Sequence, residues 1–287
     1  MLKIIGHFGV LFCVVGGYVL DHGALRVLFQ PYELLIIMGS ALMAFMVANS
    51  KHVIMATLSD IRSIYKPDKY SKKEYIELLS MLFTVFKTAR IKGWLALERH
   101  IETPSESDVF QNFPSFYNDT RAVTFLCDYL RLISLGSDKP YEVESLMEQE
   151  IDTEREQRGY TSSAMQTMAD GLPALGIVAA VLGVIHTMGA ITSPIDILGH
   201  LIGGALVGTF LGVFLSYGYV SPIASAIRER NDTELKYYLC IKTCVLAFLH
   251  GAAPQVAIEF GRKILMHDTQ PTFLEVEEAT QNVTIAR

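Results

Sequence analysis

Charge is what this 287-residue sequence has least of: Asp, Glu, Lys and Arg together make up 19% of it. Four runs, Ile4–Leu20, Leu34–Ser50, Gly171–Ile195 and Ile197–Ile227, contain none of the four. A water-soluble domain neither exposes nor buries four such stretches, and a disordered chain is not 51% hydrophobic. Runs of about 17–25 apolar residues are the length of helices that cross the hydrocarbon layer of a membrane. An excess of basic residues is also missing. The net charge of −6 excludes a nucleic-acid binder, which needs a basic surface to displace counterions. Cysteine is scarce: Cys13, Cys127, Cys240 and Cys244 form no disulfide framework. Cys240 and Cys244, four apart, read as two buried thiols rather than half of a metal site. No phosphate-binding glycine loop, nucleophile elbow or zinc-protease motif is present. The expectation is therefore no enzyme, no metal and no cofactor.

What is present is an all-α polytopic membrane protein with four transmembrane helices and a helical cytoplasmic domain. Residues 1–50 hold spans one and two, 51–169 a cytoplasmic helical loop domain, 170–227 spans three and four, and 228–287 a cytoplasmic C-terminal helical segment and tail. Of 24 Lys and Arg, 22 lie in 51–158 or 228–287. The bias of basic residues near span ends toward the cytoplasm puts both termini there, with membrane lipids around the spans. Span four, with 31 uncharged residues, is about 46 Å long if helical. It must tilt or continue below the membrane as a stalk.

Within the large loop, Ser71-x-x-Glu74 reads as a capping box. Ile76, Leu79, Leu82, Phe83 and Phe86 follow at helical spacing. Arg121–Leu135 and Tyr141–Tyr160 read as two further helices. Thr233–Met266 reads as helix interrupted at Pro254, and Phe273–Arg287 as a loose tail. Lys87 and Arg90 precede Glu98 and Glu102, and steps of four would keep positions 90, 94, 98 and 102 on one slowly drifting helix face. That face is either solvated or a docking surface of paired polarity.

Inside the spans, Asp and Glu are missing at mid-depth; Asp170 and Asp196 flank spans three and four. An ion-carrying carboxylate would have to come from another chain. Gly204, Gly208 and Gly212, like Gly9, Cys13 and Gly17, form small-residue seams that serve packing within one subunit or between copies. Thr209 either bonds back to its own helix or lines a polar path. Pro173 and Pro222 stand at similar depth and are helix-start residues or hinges.

Two segments carry a family resemblance. Asp170-Gly-Leu-Pro-Ala-Leu-Gly-Ile-Val-Ala-Ala-Val-Leu-Gly-Val-Ile-His-Thr-Met188 resembles the third-span signature of MotA, the flagellar motor stator family of the MotA/TolQ/ExbB superfamily. Ala89-Arg-Ile-Lys-Gly-Trp-Leu-Ala-Leu-Glu-Arg-His-Ile-Glu102 resembles that family's docking segment. Span number, loop sizes and both prolines agree, so the resemblance covers essentially the whole chain. It implies a homo-oligomer, a pentamer, around a MotB dimer, with ions crossing at the interface via a MotB Asp. The ion flow drives the FliG rotor and hence flagellar rotation and chemotaxis. By the resemblance, Arg90 and Glu98 dock to FliG, with Lys87 and Glu102 beside them. Pro173, Pro222 and Asp170 couple ion passage to movement, and Ala180 and Thr209 line the ion path. Ala180 stands where sodium-driven relatives carry Thr, which favours H+ as the transported ion. An ExbB- or TolQ-like relative would have three spans, and a conventional transporter would need polar groups at mid-depth.

Overall fold

The computed structural model describes residues 2–136, 139–192 and 194–281. Every regular element among them is helical. We number the longer helices α1 (Leu2–Leu20), α2 (Leu25–Ala48), α3 (Lys51–Ser63), α4 (Lys72–Lys92) and α5 (Thr120–Ser134). These are followed by α6 (Pro140–Gly189), α7 (Ile195–Leu215), α8 (Ser221–Leu249), α9 (Pro254–Lys263) and α10 (Phe273–Gln281). A π-turn, Ser216–Val220, joins α7 to α8, and another, Leu35–Gly39, lies within α2. Four stretches are long and apolar enough to cross a membrane: α1, α2, α6 and the continuous run Ile197–Leu249.

The chain forms two compact units, 1–67 with 157–230 and 68–156 with 231–287. The breaks at 67, 156 and 230 do not coincide with the sequence boundaries at 50, 169 and 227. Contacts follow packing, whereas those boundaries followed loss of charge.

The first unit is the membrane-spanning one. Its core is small: Ile37, Ala41, Met165, Ala169, Leu172, Ala179, Val220 and Ala224 are among its buried members. Phe8, Phe12 and Leu20 on α1 are 70–83% exposed. Lipid is as apolar as a leucine side chain, so burial does not drive such helices together and exposure costs them nothing. α3 starts where Ser50 accepts from the Val53 amide at 3.4 Å.

The second unit has the thick core of a water-exposed domain. Leu78, Leu79, Leu82 and Phe86 of α4 pack with Leu126 and Leu130 of α5 and with Tyr237, Ile241 and Val245 of α8. The capping box opens α4 as its sequence predicts: the Ser71 amide donates to Glu74 Oε2 at 2.8 Å. Tyr70 stacks on Tyr237, centroids 3.9 Å apart, and its hydroxyl donates to Asp119 at 2.5 Å. Burial pushes the Tyr70 phenol far above its ordinary range, and the Asp119 bond adds to this. Lys69 pairs with Asp119 at 2.9 Å, which keeps that buried carboxylate compensated. Cys240 and Cys244 are fully buried, as expected, with their thiols against Gly261.

Three sequence expectations are corrected. Tyr141–Tyr160 and span three are not separate: α6 is a single helix of 50 residues. Composition changes from acidic to apolar along it, but Gly159 alone, worth about 1 kcal/mol, does not stop a helix. Likewise the helical run of span four does not end at Ile227 but continues to Leu249, so Thr233 onward is no separate helix. The stretch Phe273–Gln281 is no loose tail; residues 282–287 lie outside those described. Thr272 and Glu275 cap α10, Val276 and Thr280 are buried, and Lys72 of α4 pairs with Glu275 at 2.8 Å. That pairing holds the Glu275 carboxyl down at about 2.

Candidate functional site

The membrane unit places spans three and four in backbone contact. A β-carbon on Gly176 would lie 2.8 Å from the Gly208 carbonyl, and one on Gly212 would lie 2.7 Å from the Leu172 carbonyl. A β-carbon on Gly183 would lie 2.8 Å from that of Ala205 and 3.0 Å from its α-carbon. Of the two seams, Gly208 and Gly212 thus serve packing within the chain, while a β-carbon at Gly9 or Gly17 would meet nothing within 4 Å. Gly204 faces α2, where a β-carbon on it would lie 3.0 Å from the Gln30 side chain.

Ala180 and Thr209 belong to this hairpin. The backbone of Ala180 lies 3.1 Å from where a β-carbon on Gly208 would be, and Thr209 is the next residue along. Both are half-buried. Thr209 does not bond back to its helix: its hydroxyl makes no hydrogen bond among the described residues, in contrast to Thr187, which donates to the Gly183 carbonyl at 2.8 Å.

Both prolines lie in unbroken helical runs. Pro173 is deep inside α6, so the helix-start alternative is excluded for it. Pro222 lies two residues past the end of the π-turn, and the chain stays helical beyond it. A π-turn widens the helix and gives the proline ring room. Pro173 has no N–H, so the carbonyl four residues earlier, that of Ala169, loses its helical partner. Ser216, the first residue of the π-turn, donates its hydroxyl to that carbonyl at 2.6 Å. Asp170 is exposed and accepts from Gln166 Nε2 at 2.8 Å. The Ser221 hydroxyl donates to Gln166 Oε1 at 3.4 Å. Ser216, Ser221 and Gln166 were not read as functional in the sequence. The available signal was the carbonyl that Pro173 frees, since buried backbone acceptors find donors.

In the second unit Arg90 and Glu98 are both exposed, but not on one helix. α4 stops at Lys92, and Gly93 turns the chain with φ 79° and ψ 169°, a region open essentially to glycine alone. A 3-10 turn, Trp94–Leu97, and a short helix, Glu98–Glu102, follow. The expected drifting face over 90–102 is therefore wrong, because glycine breaks it. The turn is fixed from below: Leu97 is buried, and Trp94 meets Phe248 edge-on at 5.7 Å. Arg90 Nη1 reaches the Ala252 carbonyl at 3.4 Å. Lys87 is half-buried with its ammonium 5.5 Å from the Phe83 ring centre. Glu102 is engaged within the unit, accepting from Arg131 Nε at 2.7 Å.

A proline-marked span hairpin in backbone contact in one unit, and an exposed turn carrying both signs of charge in the other, define a class: polytopic helical membrane proteins with a folded water-exposed domain. Two family models match the chain, motility protein A N-terminal over residues 4–93 and the MotA/TolQ/ExbB proton channel family over 121–239. Motility protein A of Escherichia coli is 40% identical over 99% of this chain and 96% of its own length. Chemotaxis protein LafT of Vibrio parahaemolyticus is 35% identical over 97% of the chain and 98% of its own. Among solved structures, the flagellar MotAB stator complex from Bacillus subtilis superimposes with TM-score 0.72 at 27% identity, covering 92% of this chain and 94% of that one. C. jejuni MotAB superimposes with TM-score 0.75 at 21% identity. The chain belongs to the motility protein A family of flagellar stator subunits.

Proposed function

We propose that the chain assembles as a ring, a pentamer, around MotB in the bacterial inner membrane, with both termini cytoplasmic. The ring uses proton flow to turn a FliG rotor. The observation that carries this is the hairpin of spans three and four: two proline-containing helices in backbone contact, with no acid between residues 171 and 195 or 197 and 227. Such a pair offers a smooth wall and no proton acceptor at mid-depth, so a partner helix must supply the carboxylate. The unpaired hydroxyl of Thr209, beside the close approach of Ala180 and Gly208, supports a place for both on that wall. Ala180 in place of a hydroxyl residue leaves fewer oxygens for a sodium ion, in keeping with H+ as cargo.

The exposed pair Arg90 and Glu98, held by the Gly93 turn, supports docking to a rotor surface of opposite charges. Lys87 and Glu102, turned to internal contacts, are support rather than contact residues in this reading. Vesicles containing this chain and MotB test the channel. Acidification of the interior should require both chains and fail when the MotB membrane Asp is replaced by Asn. Proton flux through this chain alone would refute the division of labour.

A further inference from the structure

The two proline sites are joined by one buried side chain. Pro173 leaves the Ala169 carbonyl without its helical donor, and Ser216 fills the vacancy from the neighbouring span, Oγ to O 2.6 Å, at 1% exposure. Ser216 is also the residue whose own carbonyl accepts the Ser221 amide and so closes the π-turn before Pro222. One residue therefore answers the backbone defect of the third span with its side chain and closes the backbone irregularity of the fourth with its main chain. A second bond runs alongside: the Ser221 hydroxyl to Gln166, one helical turn before Asp170.

A buried carbonyl that loses its donor pays the cost of desolvation, so this bond is replaced rather than simply lost in any rearrangement. Rotation of either helix about its proline pulls on the same hydroxyl. Two hinges tied in this way change shape together or not at all.

We propose that Ser216 is a positioning residue for torque generation: it ties the carbonyl freed by Pro173 to the π-turn before Pro222, so that the two prolines act as one hinge. This rests on the stator reading above and goes beyond it by naming the link.

The test is a double-substitution cycle on the full stator, with torque measured on single motors and thermal stability on the purified complex. Ser216→Ala should insert, form the ring and be recruited to motors, yet give several-fold less torque. Ser216→Thr, which retains the hydroxyl, should recover most of it. In Pro173→Ala the Ala169 carbonyl regains a helical N–H. There, Ser216→Ala should no longer lower the melting temperature, whereas it should in the parent. Normal torque in Ser216→Ala overturns the proposal. So does an equal loss of melting temperature in both backgrounds, because the hydroxyl would then act independently of Pro173. Loss of ring assembly in both Ser216→Ala and Ser216→Thr would make the residue a packing element and overturn it as well. An unmodified parent that does not drive a motor would refute the stator reading itself, which separates the two failures.

Discussion

At the scale of single residues, the second unit holds charges inside by pairing each of them. Arg262 is 7% exposed. Its Nε and Nη2 donate to the Glu259 carboxylate at 2.6 and 2.5 Å, and Nη1 donates to the Pro271 carbonyl at 2.9 Å. The Glu259 bond holds the guanidinium pKa above its ordinary value, and the same bond lowers that of Glu259. Arg262 thus ties α9 to the segment leading into α10. Lys242, buried on α8, is paired with Glu148 of α6 in a comparable way. Arg262→Ala should leave the Pro271 carbonyl without its donor and cost about 1.5–3 kcal/mol, the range for hydrogen bonds to charged groups. Denaturant unfolding of the purified chain reads this directly, and a change below about 0.5 kcal/mol would show the network to be dispensable.

At the scale of elements, the helices are long because nothing in the sequence stops them, and two of them touch because glycine lets them. Adding a side chain at Gly212 collides with backbone, the Leu172 carbonyl and Gly176, which cannot swing aside as a flexible side chain would. Gly212→Val should therefore force spans three and four apart, at a cost at or above the roughly 1–3 kcal/mol of ordinary overpacking. Gly17→Ala meets nothing within the chain and should not lower its stability, since Ala is the better helix former. Melting of the detergent-solubilised protein distinguishes the two, and equal behaviour would dismiss the seam. The prolines call for a different measurement. Pro173 lies in a helix interior, where Ala is worth about 3 kcal/mol more, enough to trap one of two states only a few kcal/mol apart. Pro173→Ala and Pro222→Ala should still be recruited to motors but generate little torque. Swimming at normal speed in both would reject a hinge.

At the scale of the whole molecule, the two units follow different physics. The membrane unit exposes apolar side chains to lipid and keeps only a thin core, so its packing is set by shape. The water-exposed unit has a thick aromatic and aliphatic core and can therefore hold an exposed charged turn still. Exposed ion pairs contribute about 0.2–1 kcal/mol each, so the proposed docking through Arg90 and Glu98 needs several of them acting together. Neutral single substitutions should be mild. Arg90→Glu, which turns attraction into repulsion, should sharply reduce swimming while leaving membrane insertion intact. A compensating reversal on the rotor should restore part of it. If Arg90→Glu cells swim normally, the turn is only a solvated corner.

The sequence by itself determined the spans, their number, the capping box at Ser71, the buried pair Cys240 and Cys244, and the family. Each of these is written in local composition or spacing, because hydrocarbon tolerates no charge and a helix end needs a cap. Local composition misled wherever helix continuity was at stake. An acidic segment and an apolar one joined in α6, a polar tail became α10 through its contacts with α4, and Gly93 broke a face that spacing alone had drawn. Only the tertiary structure decided which glycine seam is used inside the chain, since a seam looks the same whichever helix fills it. Only the structure showed that Ser216 answers Pro173. A freed carbonyl is a local consequence of proline, but its donor comes from 47 residues further along the chain, and no pattern in either segment names the other.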